Sequence, residues 1–134
     1  MNEAVLMEFD KSMGSEESFW HDFNLEVSSE LLARFSEHDW KTLEKNILAR
    51  PLYWQERCAE AIGYMDNEEG VATLTAFLES PHLSVAAIAA SELDNMGITL
   101  PGTLRSRLLK IQEYVEANES ARREDIHNLI ARLA

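Results

Sequence analysis

Thiol catalysis needs an exposed, ionisable cysteine, and this chain of 134 residues has one cysteine, Cys58. It falls between Trp54 and Ile62 on the apolar side of a helical pattern, where small residues cluster. That position predicts a packed core cysteine rather than a nucleophile. A single cysteine also leaves no internal disulfide and no thiolate metal cluster. The histidines His21, His38, His82 and His127 are scattered, and no two share a helix at metal-ligand spacing. His21-Asp22 and His38-Asp39 are sequence neighbours, which point to different sides of a helix. Glu16-Glu17 and Glu68-Glu69 offer paired carboxylates, but in a chain this rich in acids such pairs read as solvated faces or helix caps. No glycine-rich phosphate loop, GxSxG or HExxH occurs. The reading is of a protein with no catalytic residue, no metal and no cofactor.

The elements that would carry any site are helical. Proline is sparse, and apolar residues recur at helical spacing with no sustained strand-type alternation. Ser28-Ser29 offers an N-cap for a helix with Leu31, Leu32 and Phe35. The next helix is predicted from Asp39 to Ala49, with Trp40, Leu43 and Ile47 on one face, until Arg50-Pro51 breaks it. A helix from Leu52 to Met65 follows. Asp66 is then read as the N-cap of another helix, with Glu69 at the capping-box offset. That helix carries Val71, Leu74 and Leu78 and stops at Ser80-Pro81. Val85, Ile88, Ala89, Leu93 and Met96 mark the next, closed by Gly97. Leu104, Leu108, Ile111 and Val115, then Ile126, Leu129, Ile130 and Leu133, mark a final pair.

A shift of 31 residues brings these helices into register. Trp40 falls on Val71, Leu43 on Leu74 and Ile47 on Leu78. Trp54 falls on Val85, Cys58 on Ala89, Ala59 on Ala90, Ile62 on Leu93 and Met65 on Met96. Helix pairs at a fixed period imply a stack in which each pair buries its apolar faces on its neighbours. The small residues would let adjacent helices approach closely.

These segments, YWQERCAEAIGYMDNEEGVATLTAFLESP and SPHLSVAAIAASELDNMG, resemble HEAT-like repeats of the short kind. The resemblance covers residues 39–97 and departs from the pattern at Glu92 and Asp94, where Ala and Gly are usual. It implies an all-α, HEAT-like superhelix forming a single domain over 1–134. An N-terminal capping segment would occupy 1–27, helix pairs 28–97, and a C-terminal capping helix pair 98–134.

Charge bounds the partners. The chain has 24 acidic and 12 basic residues, a net charge of −12. Residues 1–70 carry −10 of it and residues 71–134 carry −2. Such a surface repels nucleic-acid backbones and anionic membranes and attracts a basic protein. Solubility alone could also account for the acidity. Met1 to Asp10 has acids where a secretory leader has lysines, and no long apolar run follows, so the chain reads as cytoplasmic.

Two surfaces are candidates for a partner. On the helix from Leu52 to Met65, the side away from the core stripe carries Tyr53, Glu56, Arg57, Glu60 and Tyr64. Tyr and Arg are favoured in binding hot spots, although these tyrosines could instead pack on an adjacent helix. In the N-terminal segment, Phe19, Trp20 and Phe23 are interleaved with Glu16, Glu17, Asp22 and Glu26. These aromatics would either grip a basic surface or fold back over the end of the stack. Size, acidity and helical architecture resemble those of immunity proteins that neutralise nuclease toxins, including those of contact-dependent growth inhibition systems. The resemblance implies an acidic face that blocks a basic nuclease cleft. An adaptor or assembly factor for an endogenous enzyme is the alternative. A pigment-attaching lyase would need an exposed cysteine, and a DNA-repair enzyme of this style a basic face.

Overall fold

Caps and proline set the ends of the helices, and those ends decide which side chains meet. The computed structural model describes residues 3–134. Met1 and Asn2, the start of the segment considered as a leader, lie outside the described residues. The fold is all-α, with eight α-helices: α1 Glu3–Ser12, α2 Asp22–Leu32, α3 Glu37–Glu44, α4 Leu52–Met65, α5 Val71–Phe77, α6 Leu83–Asn95, α7 Arg105–Asn118 and α8 Arg123–Ala131. No strand occurs among the described residues. No described helix is long and apolar enough to cross a membrane.

Extended backbone at Pro51 sets the start of α4 where Arg50-Pro51 was expected to interrupt the chain. At the end of α6, Gly97 adopts a left-handed φ of 71°. Its N–H donates to the Asp94 carbonyl at 2.9 Å, and the Ile98 N–H donates to the Leu93 carbonyl at 3.1 Å. This paired closure is the one Gly97 predicts.

Other boundaries differ from the sequence reading. α3 begins before Asp39, because Ser36 and Asp39 cap each other. The Asp39 N–H donates to Ser36 Oγ at 3.2 Å, and the Ser36 N–H donates to Asp39 Oδ2 at 2.9 Å. The chain then tightens into a 3-10 turn at Ile47–Ala49, so α3 does not reach Ala49. Ser28 and Ser29 do not cap a helix. They lie buried within α2, which starts at Asp22 behind a turn where the His21 N–H donates to Asn24 Oδ1 at 3.0 Å. Ser28 Oγ instead donates to Ser12 Oγ at 2.8 Å and ties α2 to α1. The 27/28 boundary therefore falls in the middle of a helix.

Asp66 is corrected as well. It does not start the next helix but closes α4, in the left-handed conformation with φ 52°. The capping role passes to Asn67, whose Oδ1 accepts from the Glu69 N–H at 2.8 Å.

The helices form two layers. α2, α4, α6 and α8 pack side by side in succession. α1, α3 and α5 pack in succession behind them, and α7 packs on α6 and α8. α3 thus meets α5, and α4 meets α6, the elements that the 31-residue shift aligns. α4 and α6 pack on each other, and each carries fully buried small residues, Cys58, Ala59 and Ala61 on α4 and Ala86, Ala87, Ala89 and Ala90 on α6, which permit close approach to their neighbours. One hydrophobic cluster extends from Val5 to Leu129, so α1 belongs to the same core as α8.

Candidate functional site

The outward side of α4 was expected to present a continuous line of partner-binding residues. The structure divides that line. Arg57 is only 8% exposed and faces protein, not solvent. Its Nη1 donates to the carbonyls of Met13 at 2.6 Å and Ser15 at 2.9 Å, and to Ser18 Oγ at 3.1 Å. Its Nη2 donates to the Ser18 carbonyl at 2.8 Å. The guanidinium also lies 5.5 Å from the Trp20 ring centre and 5.1 Å from that of Tyr53. Arg57 is thus a clasp for the loop between α1 and α2, and its assignment as a partner contact is corrected. The physical reason is the planar fork of donors, which satisfies several loop carbonyls at once.

Tyr53 joins the same clasp. It is half-buried, and its hydroxyl donates to the Gly14 carbonyl at 3.3 Å. Glu60 is half-buried too, and its Oε2 accepts from Trp20 Nε1 at 2.9 Å. Tyr64, by contrast, is 55% exposed, and Glu56 is half-exposed. Tyr53 is therefore covered by the loop between α1 and α2 rather than by an adjacent helix, and Tyr64 stays open to solvent. Among the N-terminal candidates, Trp20 folds back onto α4, while Glu16, Glu17 and Asp22 remain exposed.

Glu60 of α4 and Asp125 of α8 each lie within electrostatic reach of Glu92 of α6, between them in the same layer. Burial pushes the Glu92 carboxyl above the usual range, a hydrogen bond from Asn95 and the charge of Arg122 pull it down, and Glu60 and Asp125 push it up again. The side chain lies across Gly63, where an added Cβ would stand 2.2 Å from Glu92 Cδ. An acid at 92 therefore fits because 63 is glycine. Arg122 is itself paired with Glu119 at 3.0 Å. With Arg57 turned into the loop, the outward surface of α4 presents Glu56 and Glu60 without a neighbouring base on that line.

Sequence reasoning passed over Asp125, and it met Glu92 only as a departure from the repeat pattern. A signal was present. The 31-residue shift places Glu92 on Ala61, which is fully buried, and an acid in register with a core alanine marks a place where the packing differs. Asp94, in register with Gly63, serves packing. Its Oδ1 accepts from Arg132 Nη1 at 2.8 Å and its Oδ2 from Asn128 Nδ2 at 3.3 Å, tying α6 to α8.

Glu92 makes a testable contribution to pH dependence. Its folded pKa is raised, so the folded state binds the proton more tightly than the unfolded one. Stability is then fullest below the unfolded pKa and is lost as pH rises through the folded pKa. Glu92→Gln is expected to gain stability relative to the wild type as pH rises above the unfolded carboxyl pKa of about 4.3, with no gain at the acid end. Urea unfolding as a function of pH checks it, and a pH-independent difference would contradict it.

Cys58 is fully buried, and burial pushes its thiol far above the usual range; Arg50 lowers it and Asp10 raises it by smaller amounts. The native protein is expected to leave Cys58 unlabelled by Ellman's reagent and to react stoichiometrically in denaturant. Rapid native labelling would show the α4 seam to be open. Among the described residues, no group of three or more His, Cys, Asp and Glu is placed to hold a metal ion. Compared with protein families, curated proteins and solved structures, the chain finds no match.

Proposed function

We propose that this protein is a non-enzymatic binding module of HEAT-like style that engages a basic protein through the acidic surface of α4, α6 and α8. The partner it fits best is a nuclease toxin domain, which would make it an immunity protein acting in the cytoplasm. The observation that carries this reading is that Glu60 of α4 and Asp125 of α8 both act on Glu92 of α6, while Arg57 is withdrawn into the loop. A nuclease cleft is basic because it holds phosphates, and a fixed array of carboxylates can occupy it in their place. The net charge of −12 would steer the encounter from beyond contact distance.

Glu60 and Glu92 are built into the packing, so Glu56 and Asp125 are the cleaner residues to reverse. The double variant Glu56→Lys/Asp125→Lys is expected to keep its helical content and to associate with the partner about tenfold more slowly at low salt. Where a nuclease domain is encoded beside its gene, co-expression with that domain is the test. Wild type is expected to restore growth, and the double variant to restore it less. A neighbouring gene for a metabolic enzyme, with binding but no nuclease inhibition, would replace the immunity reading with that of an adaptor.

A further inference from the structure

Phe19 and Phe23 are the most exposed large apolar side chains among the described residues, at 79% and 74%. Both could fold back onto the helices, as Trp20 between them in sequence does onto α4. They do not. The loop that carries Phe19 is held by Arg57 through Met13, Ser15 and Ser18, and by Trp20 through Glu60. Phe19 stacks on His21 with ring centres 5.4 Å apart. Phe23 stands in the first turn of α2. Two phenylalanines are therefore displayed on a well-tethered support, and little conformational freedom remains to be lost when they are covered. Exposed aromatics on such a support mark a docking surface.

Charge identifies the occupant. Between Lys11 and Arg34 the chain carries Glu16, Glu17, Asp22, Glu26 and Glu30 and no lysine or arginine. Glu16, Glu17, Asp22 and Glu26 are all exposed. A second copy of the chain would bring the same acids against these, and an anionic membrane would be repelled. We infer that Phe19 and Phe23 are apolar anchors for a protein surface in which a hydrophobic socket is ringed by lysine or arginine. The inference rests on the reading of a basic partner and adds a second, apolar contact that supplies residence time rather than encounter rate.

Two fluorescent peptides of equal length and equal positive charge test it, one with its lysines spaced by serine and the other with them spaced by leucine. At low salt the serine peptide is expected to bind wild type, and the leucine peptide to bind about tenfold more tightly. The variant Phe19→Ser/Phe23→Ser is expected to keep the wild-type melting temperature, because neither ring is buried and Phe19 stacks only on the exposed His21. It is expected to bind the serine peptide as wild type does and to lose the leucine advantage. An absent advantage, or one that survives in the double variant, would overturn the inference and leave the acidic-face reading intact. Failure of the serine peptide to bind would overturn that reading as well. Phenylalanine-dependent self-association in sedimentation velocity, or phenylalanine-dependent binding to phosphatidylcholine vesicles, would assign the anchors to another occupant and also overturn it.

Discussion

Phe9→Ala is expected to lower the unfolding free energy by about 3–5 kcal/mol. Phe9 is fully buried and meets Phe35 edge-on at 5.6 Å and Trp54 edge-on at 6.3 Å. It sits where α1, the turn between α2 and α3, and the start of α4 converge, so its removal leaves a cavity that none of the three can close alone. Asp10 strengthens the same junction, with Oδ1 accepting from Trp54 Nε1 at 2.9 Å and from the Arg50 guanidinium. A domain of this size has about 5–15 kcal/mol of net stability, so the variant is expected to be largely unfolded in moderate urea. Equilibrium urea unfolding followed by circular dichroism measures it. A loss below about 1 kcal/mol would mean that α1 is a detachable cap and not part of the common core.

Arg57→Ala carries the second large effect, expected at about 3 kcal/mol. Four hydrogen bonds to the loop disappear together, and the Met13 carbonyl beneath is left buried without its donor. The loss is expected to be local as well as global. Amide exchange over residues 13–20 is expected to rise before that of α4 or α6. Trp20 emission is expected to shift to the red as its contacts with Arg57 and Glu60 loosen. Arg57→Lys keeps the charge but not the fork, and an ammonium cannot satisfy all these acceptors. It is expected to recover at most half of the stability. Full recovery by lysine would show that charge, and not bidentate geometry, holds the loop.

The periodicity of Trp54, Cys58, Ala61 and Ile62, bounded by Pro51, describes α4 to within a residue, because helix spacing and helix breakers are local properties. Gly97 is legible for the same reason. Ser28-Ser29 misled because serines make good caps only where a helix must start; here apolar contacts of Leu31 and Leu32 continue a helix already begun at Asp22, and the hydroxyls turn inward. Asp66 misled because aspartate tolerates both an N-cap and a left-handed closure, and local composition does not choose between them.

For the candidate site the difficulty is distance along the chain. The spacing of Tyr53, Arg57, Glu60 and Tyr64 shows that they share one side of α4. It cannot show that residues 13–20, some forty positions earlier, return to cover part of that side. Arg57 was legible as a hot-spot residue type and illegible as a clasp. Glu92 was legible only as an irregularity, since the glycine that makes room for it, Gly63, lies on another helix.

The central claim is that a preorganised acidic surface draws in a basic protein. Its most direct test is the association rate constant of the wild type with the nuclease domain of the co-expression experiment, measured by stopped flow as ionic strength rises from about 10 mM to about 150 mM. The rate constant is expected to fall by about tenfold or more, with dissociation nearly unchanged, and the Glu56→Lys/Asp125→Lys variant is expected to show a shallower slope. A rate constant that stays flat across that range, equally in wild type and variant, would contradict electrostatic capture by this face.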